Sequence, residues 1–403
     1  MSTNQFNYLK ALKKKMSIDS FNYLKELKKL NESPTIKKRI YVLGNTSVDM
    51  DSVLAAYMLA IGKNMKEKII YIDEYNKINI NKETTTIYYP ILNCKRGTYH
   101  HRLDGQYVFE KFSLDENDFL YNDDEFFSEE KIKNSQNTFF ILVDHSILDS
   151  KQNYLSPYVI EVIDHHIVPK YDFPNLKDRC IQYPIGSCTT LILLNYFVKN
   201  FPLMFLSPLL SVTAILLDTE NFKPSFYGNR WVDLDKIVLD LIIKFSPVDV
   251  NIKEYFEKVN GEKTNVERNL ALGIPVLFEK DKKTFVWEKN KVEWSAIPIS
   301  YLKVMDKFNY SSLNDYFDKL KEERKYYVSN SVLDNSDKLM TVYSYDNFTG
   351  VNRENIINKL KEKYGENLRE AKFDDEKKTL FIQLPNTSSR KSTEPIFRNI
   401  FNE

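Results

Sequence analysis

Cysteine, histidine and glycine are all scarce in this chain of 403 residues, which contains 3, 5 and 10 of them. The cysteines Cys94, Cys180 and Cys188 form no Cys-x-x-Cys pair and are odd in number, which indicates reduced thiols in a reducing compartment. No two glycines are adjacent. Four of the five histidines form two adjacent pairs, His100 with His101 and His165 with His166.

A strong net charge and long apolar runs are absent as well. The 57 Lys and Arg residues nearly balance the 56 Asp and Glu residues, so no global charge marks the chain as a nucleic-acid binder. No apolar run approaches the roughly 20 residues that span a bilayer. The first residues also lack the apolar core of a signal peptide. We therefore expect a cytoplasmic protein without a membrane span and without a nucleic-acid partner.

The first 40 residues hold ten Lys or Arg against three Asp or Glu. They also contain a repeat, because the sequence Phe-Asn-Tyr-Leu-Lys at residues 6–10 recurs at residues 21–25. Leucines follow at helical spacing in both copies, which predicts a basic, amphipathic helical extension over residues 1–35. The extension either packs on the surface of the following domain or guides an anionic ligand or a membrane surface.

Beyond the extension, alternating strand-like and helix-like segments predict an α/β fold with two domains. Residues 36–225 are predicted to form a doubly wound, mostly parallel sheet, with strands at 39–44, 69–72, 87–92, 139–143 and 159–163. Residues 226–403 are predicted to form a hinge and a smaller α/β domain, with helices at 233–245, 250–273, 311–328 and 353–363 and strands at 338–343 and 379–384. A polar loop is predicted from residue 386 to residue 392.

Acids and histidines follow three predicted strands of the first domain. Asp49 and Asp51 come after the first strand, Asp144 after another, and Asp164, His165 and His166 after a third. The carboxyl ends of strands in an open α/β sheet converge on one crevice. Asp218, at the end of an apolar helix, could join them, and Ser187 is a candidate helix N-cap.

A single aspartate at a strand end is usually a turn or cap residue. Several carboxylates in one crevice repel each other, however, and divalent cations remove that repulsion. Carboxylates with few imidazoles favour Mg²⁺ or Mn²⁺. Two such cations can share a carboxylate and a bridging hydroxide, an arrangement that suits attack on phosphorus. Arg390 and Lys391 are candidate donors to phosphate oxygens.

These residues resemble the DHH phosphoesterase superfamily. The similar elements are Asn45, Asp49, Asp51 and Ser52, the triplet at residues 164–166, Gly-Ser-Cys-Thr-Thr at 186–190 and Leu-Asp-Thr at 217–219. In the second half, residues 281–285 and 389–391 are similar to phosphate-binding elements of cytosolic exopolyphosphatases of the yeast type and the related prune proteins, and residues 294–298 are similar to the sheet segment that follows the first of these elements. Family II inorganic pyrophosphatases are related, but have His at the position of Asn45. DHH nucleases carry a glycine-rich motif that a chain without adjacent glycines does not match.

The resemblance implies a role for each matching residue. Asp49, Asp144, His165 and Asp218 would hold one cation, and Asp51 and Asp144 the other, with Asn45 and Asp164 supporting them. His166 would contact phosphate or assist the leaving oxygen. Lys283 (or its neighbour Lys282), Arg390 and Lys391 would bind the terminal phosphates, and Arg102 would contact the chain further out.

The function implied is that of a metal-dependent exopolyphosphatase, in which a metal-bridged hydroxide releases terminal orthophosphate from inorganic polyphosphate. The resemblance places the active site in the cleft between the two domains. The cofactors would be two cations, Mg²⁺ or Mn²⁺ with Co²⁺ as a further candidate, and we expect a monomer. The alternatives are an inorganic pyrophosphatase, a prune-like hydrolase of short polyphosphates or nucleotides, and a non-catalytic, prune-like interaction protein.

Overall fold

In the computed structural model, the chain divides into two units, Met1–Asn260 and Gly261–Glu403. The structure describes residues 23–72, 78–166, 173–197, 208–245, 251–287, 290–319, 326–332, 338–344, 350–365, 368–370, 379–385, 388 and 390–402. The boundary predicted after residue 225 lies within the first unit. The reason is that Val238, Ile242, Tyr255 and Val259 are buried in the apolar core of that unit.

A parallel sheet of six strands organises the first unit, in the order β5-β4-β1-β6-β7-β8. The strands of this sheet are β1 (Lys38–Leu43), β4 (Thr86–Leu92), β5 (Leu120–Tyr121), β6 (Thr138–Val143), β7 (Val159–Asp164) and β8 (Asp178–Ile181). Strands β2 (Ile70–Ile72) and β3 (Ile78–Ile80) form a separate antiparallel pair. The helices of this unit are α1 (Tyr23–Asn31), α2 (Met50–Lys66), α3 (Leu103–Lys111), α4 (Glu129–Asn134), α5 (Cys188–Ile192), α6 (Pro208–Asp218), α7 (Asp233–Phe245) and α8 (Ile252–Lys263), in which the boundary between the units falls.

Strand β1 lies at the topological switch point of this sheet. The chain passes from β1 to β4 and β5 on one side and then returns to β6, β7 and β8 on the other. The loop after β1 therefore faces the loop after β6 across the crevice in which parallel α/β sheets bind ligands. Helix α2 begins in the loop after β1 and is buried almost throughout, which fixes that loop against the sheet.

Residues 23–25, the described part of the second copy of the N-terminal repeat, begin helix α1. The apolar side chains Leu24, Leu27 and Leu30 of this helix are buried in the core of the first unit, while its lysines lie on the other face. Residues 23–31 therefore form an amphipathic helix that packs on the first unit. The first copy, at residues 6–10, lies outside the described residues.

The second unit contains a mixed sheet of six strands, in the order β13-β14-β12-β11-β10-β9. Only β10 and β11 pair in parallel. The strands are β9 (Lys282–Trp287), β10 (Asn290–Ser300), β11 (Tyr326–Val332), β12 (Lys338–Ser344), β13 (Arg369–Glu370) and β14 (Thr379–Leu384), and the helices are α9 (Val266–Ala271), α10 (Gly273–Glu279), α11 (Tyr301–Lys319), α12 (Gly350–Tyr364) and α13 (Arg390–Asn402).

Both faces of this second sheet are apolar, because alternate residues of a strand point to opposite sides. On β14, Leu380 and Ile382 belong to the cluster that includes helices α12 and α13. Phe381, between them, belongs to the cluster that includes α10 and α11. The sheet is therefore covered by helices on each face, which matches the α/β class predicted for this half.

Two local predictions in this half are wrong. The helix predicted at 311–328 ends at Lys319, and strand β11 begins at Tyr326. Arg390 and Lys391, predicted on a polar loop, begin helix α13, because Phe397 and Ile400 give the following residues a buried face. Among the described residues, no helix has the length and apolar character needed to cross a membrane.

Candidate metal centre

Four segments of the first unit place carboxylates and imidazoles together. The start of helix α2 after β1 supplies Asp49 as its N-cap and Asp51 in its first turn, the end of β6 supplies Asp144, the end of β7 supplies His165 and His166, and the last turn of α6 supplies Asp218. Two groups result, Asp144 with His165 and His166, and Asp51 with His165 and Asp218. In each group the candidate ligand atoms lie within 4.8 Å of one another. Carboxylate oxygens with imidazole nitrogens form a donor set that fits a divalent cation.

Asp144 makes the largest number of the hydrogen bonds described for the first group. Its Oδ2 accepts hydrogen bonds from Asn45 Nδ2 (2.8 Å) and Ser52 Oγ (2.7 Å), and its Oδ1 lies 3.0 Å from His165 Nε2. Burial and the Asp49 carboxylate act to raise the pKa of Asp144, but the His165 hydrogen bond and the charges of His166 and His165 hold it below its usual value. Its backbone φ of 59° is in the left-handed region, a strained conformation often found at functional sites.

Asp164 holds the histidine pair from beneath. Its buried Oδ1 accepts from the backbone N–H groups of His165 (2.8 Å) and His166 (3.2 Å), and it lies 2.7 Å from His166 Nδ1. Its Oδ2 accepts from Ser146 Oγ at 2.8 Å. Asp164 therefore orients both imidazoles.

The two imidazoles of the pair differ in exposure and in tautomer. The His165 side chain is fully buried, and its Nδ1 lies 2.9 Å from the Ile185 carbonyl oxygen. A carbonyl only accepts, so Nδ1 carries a proton, and in the absence of a cation Nε2 donates to Asp144. A bound cation would replace the proton on Nε2 and leave Nδ1 protonated, which is the form of imidazole that binds a metal. The His166 side chain is 22% exposed, and its Nδ1 is the donor to Asp164. That nitrogen of His166 is therefore not a metal ligand.

Asp51 is held by the first turn of helix α5. Its Oδ1 accepts from Ser187 Oγ (2.6 Å) and from the Thr189 N–H and hydroxyl groups, and its Oδ2 accepts from the Cys188 N–H (2.7 Å). Burial, followed by the charges of Asp218 and Asp144, raises the pKa of Asp51 to about 8, against the opposite effects of His165 and Ser187. A cation at this position would favour the ionised carboxylate. Ser187 is also the N-cap of α5, which confirms that prediction.

Asp49 and Asn45 contribute through hydrogen bonds. Asp49 is the N-cap of α2, with Oδ1 accepting from the Ser52 N–H and Oδ2 from Ser47 Oγ. The Asn45 amide oxygen accepts from the N–H and the hydroxyl of Ser47, so its amino group faces Asp144. Asn45 is thus a donor to a candidate ligand. The groups also differ from those expected, since Asp51 accompanies Asp218, and Asp49 is in neither.

The basic residues predicted to contact phosphate differ in burial and in the acidic side chains beside them. Arg102 has a buried side chain, 5% exposed, with its Nε 3.9 Å from the Asp104 carboxylate. In the second unit, Lys282 pairs with Glu293 at 3.0 Å and with Glu279, which favours Lys283 over Lys282 as a phosphate contact. Lys283 lies on β9 opposite Trp294.

Arg390 is tied to its own unit. Its Nη2 lies 2.9 Å from Asp281 Oδ1, and its Nη1 donates to the carbonyl oxygens of Asp281 and Trp294. Two of the five guanidinium N–H groups are left for a substrate. Lys391 is in the same helix, but its side chain lies outside the described part of the structure.

One supporting residue was missed by the sequence reasoning. Asp235, on helix α7, is fully buried and accepts from the Gly186 N–H (2.9 Å) and the Thr190 hydroxyl (2.7 Å). Its position in the chain, inside the helix predicted at 233–245 and beyond the predicted first domain, gave no signal of this role. The only sequence signal near these contacts was the N-cap Ser187.

Comparison with known proteins agrees with this geometry. Residues 39–214 match the model of the DHH family, N-terminal domain. The fold is similar to that of a Methanococcus jannaschii protein assigned to the family II inorganic pyrophosphatases, with 20% identity over 90% of this chain and 100% of that chain and a TM-score of 0.60. An exopolyphosphatase-related protein from Bacteroides fragilis matches 95% of each chain at 12% identity, with a TM-score of 0.41. The residues that match this family model, 39–214, contain each candidate metal ligand except Asp218.

Proposed function

We propose that this chain is a metal-dependent phosphohydrolase, and specifically an exopolyphosphatase that releases terminal orthophosphate from linear inorganic polyphosphate. The proposal depends on one observation. Two groups of side chains, drawn from Asp51, Asp144, Asp218, His165 and His166, each have their candidate ligand atoms within 4.8 Å of one another. The polyphosphate substrate rests on the sequence motifs shared with exopolyphosphatases of the yeast type.

Asp51, Asp144, Asp218 and His165 would hold two divalent cations, Mg²⁺, Mn²⁺ or Co²⁺. When bound, such cations lower the pKa of a water molecule and neutralise the charge of phosphate oxygens. Asp144, which belongs to the first group and neighbours the second through His165, is the candidate bridging ligand.

His166 is assigned to the phosphate. Its side chain is partly exposed, and the hydrogen bond from its Nδ1 to Asp164 fixes the ring orientation. The negative charge of Asp164 also favours the protonated imidazolium, which is suited to donate a proton to a leaving phosphate oxygen. Lys283, Arg390 and Lys391 are assigned to terminal phosphates, and Arg102 to phosphates further along the chain.

Inorganic pyrophosphatase is the second candidate, favoured by the fold shared with the Methanococcus jannaschii protein. Both candidates use the same ligands and differ in substrate length. The intact set of carboxylates and histidines weighs against a non-catalytic interaction protein.

The test is phosphate release from long polyphosphate, tripolyphosphate, pyrophosphate and nucleotides, each with Mg²⁺, Mn²⁺ and Co²⁺. Faster release from polyphosphate than from pyrophosphate supports the exopolyphosphatase, and the reverse order supports the pyrophosphatase. No release from any substrate by a protein that binds Mn²⁺ refutes the phosphohydrolase.

The variant Asp144→Ala tests the site itself. We expect a loss of metal-dependent release of at least about 100-fold, because the residue contacts both histidines and two further donors. Asp149→Ala is the matched control, since Asp149 is a helix N-cap five residues further on, in a partly exposed position. Turnover by Asp144→Ala close to that of the control would show that the bridging assignment is wrong.

A further inference from the structure

The segment at residues 185–190 contacts two members of the second ligand group and the chain neighbour of the third. The Ile185 carbonyl oxygen fixes the His165 ring through Nδ1, at 2.9 Å. Ser187, Cys188 and Thr189 supply the donors to Asp51. Gly186 packs against Thr219, the neighbour of Asp218, so closely that a Cβ on Gly186 would lie 2.8 Å from Thr219 Cγ2. One short segment thus holds Asp51 and His165 directly and packs against the residue that follows Asp218.

Asp235 in turn holds this segment. Its Oδ2 accepts from the Gly186 N–H at 2.9 Å, and its Oδ1 accepts from Thr190 Oγ1 at 2.7 Å, so that the carboxylate bridges the two ends of the segment. Oδ2 also accepts from the Val232 N–H at 3.0 Å, which ties the carboxylate to the start of its own helix. The residue is 0% exposed.

The packing around Gly186 leaves little room for the segment to move toward α7 without a loss of these contacts. A Cβ at Gly186 would lie 2.8 Å from the Arg230 carbonyl oxygen and 3.2 Å from Asp235 Cγ. A close-packed contact of this kind transmits the position of one side chain to the next. Removal of the Asp235 carboxylate would leave a gap and two buried donors without an acceptor, and the segment would relax into that gap.

We propose that Asp235 is a positioning residue for the cation held by Asp51, His165 and Asp218, and that it acts through the 185–190 segment. This inference rests on the proposed metal dependence of the site. Asp144 and His166 are held by different residues, namely Asn45, Ser52 and Asp164. The loss of Asp235 therefore weakens one cation site much more than the other.

The experiment is calorimetric titration of Mn²⁺ into the metal-free, full-length protein. We expect Asp235→Ala to weaken one of two sites about 10- to 100-fold, as supporting residues of metal ligands typically do, and to change the other less than about threefold. Asp235→Asn should restore the affinity, because its carbonyl oxygen can accept from Gly186 and its amino group can donate to Thr190 Oγ1. Asp233→Ala is the matched control on the same helix, at an exposed position.

Thr190→Val is the milder variant and decides the question if Asp235→Ala does not fold. It removes one hydrogen bond to Asp235 with little change of shape, and we expect it to weaken the same site by a smaller factor. Wild-type affinity in both Asp235→Ala and Thr190→Val would overturn the inference, as would equal weakening of both sites or a failure of Asp235→Asn to rescue. This titration measures Mn²⁺ binding and not phosphate release. A protein that releases no phosphate but binds Mn²⁺ as described here would therefore refute the proposed function and leave the role of Asp235 standing.

Discussion

Replacement of Asp164 tests how far the histidine pair depends on one buried carboxylate. Asp164 accepts four hydrogen bonds, from the backbone N–H groups of His165 and His166, from His166 Nδ1 and from Ser146 Oγ. In Asp164→Ala, the two N–H groups and the Ser146 hydroxyl lose their acceptor inside the protein. In Asp164→Asn, the amide oxygen can still accept from the N–H groups, and the Ser146 hydroxyl can accept from the amide nitrogen.

The magnitudes follow from these contacts. A buried donor left without an acceptor costs about 1–3 kcal/mol, so we expect Asp164→Ala to lower the free energy of unfolding by about 3–5 kcal/mol. Asp164→Asn loses mainly the charge interaction with His166, and we expect about 1–2 kcal/mol. The Ala variant should also weaken Mn²⁺ binding about 10- to 100-fold, because His165 loses its anchor.

The effect of pH gives a second check on the same carboxylate. Burial acts to raise the pKa of Asp164, but the charge and hydrogen bond of His166, followed by His165 and Ser146, hold it well below its usual value. The ionised form therefore contributes stability at pH values above about 4, the unfolded pKa, and that contribution is lost as the pH falls toward the folded pKa. The gap between wild type and Asp164→Asn should be largest near pH 7 and shrink below about pH 4.

Urea denaturation of the metal-free protein at pH 7, 5 and 3, followed by circular dichroism, measures both effects. Ser146→Ala serves as the control that removes a single donor, with an expected loss of about 1 kcal/mol. The reasoning fails if Asp164→Ala is within about 1 kcal/mol of wild type, or if the gap to Asp164→Asn is the same at each pH.

Two further predictions concern packing and substrate. In Gly44→Ala the new Cβ would lie 2.8 Å from both Cβ and the carbonyl oxygen of Ser52, so we expect a loss of about 1–3 kcal/mol in urea denaturation. Gly261→Ala, a helical position with open space, should instead be neutral or stabilising by up to about 1 kcal/mol, and equal effects of the two variants would contradict the packing argument. Arg390→Ala should lower kcat/KM for polyphosphate at least about 10-fold, because it removes a charged donor to phosphate. The control Arg398→Ala, in the same helix, should not lower kcat/KM. If Arg390→Ala hydrolyses every phosphate chain at the wild-type rate, Arg390 does not contact the substrate.

Much of the first unit could be predicted from the sequence because its strands are short apolar runs ended by polar residues. The strands predicted at 39–44, 87–92, 139–143 and 159–163 agree with β1, β4, β6 and β7 within one residue at each end. The candidate ligands could be named for the same reason, since they follow those runs directly. The second unit was harder, because both faces of its sheet are covered and its strands lack a polar side that would distinguish them from buried helices.

The sequence by itself determined which residues are available for a metal centre, since acids and histidines at strand ends are a local pattern. Only the tertiary structure decided how they combine. Strand β1 lies between β4 and β6 in the sheet. This placement brings Asp51, in the first turn of α2 after β1, close to the histidines after β7 and to Asp218 at the end of α6. Packing between distant segments also assigned Asp49 and Asn45 to hydrogen bonds and brought Asp235 to the 185–190 segment. Such contacts depend on strand order and on the fit of buried side chains, which no local pattern specifies.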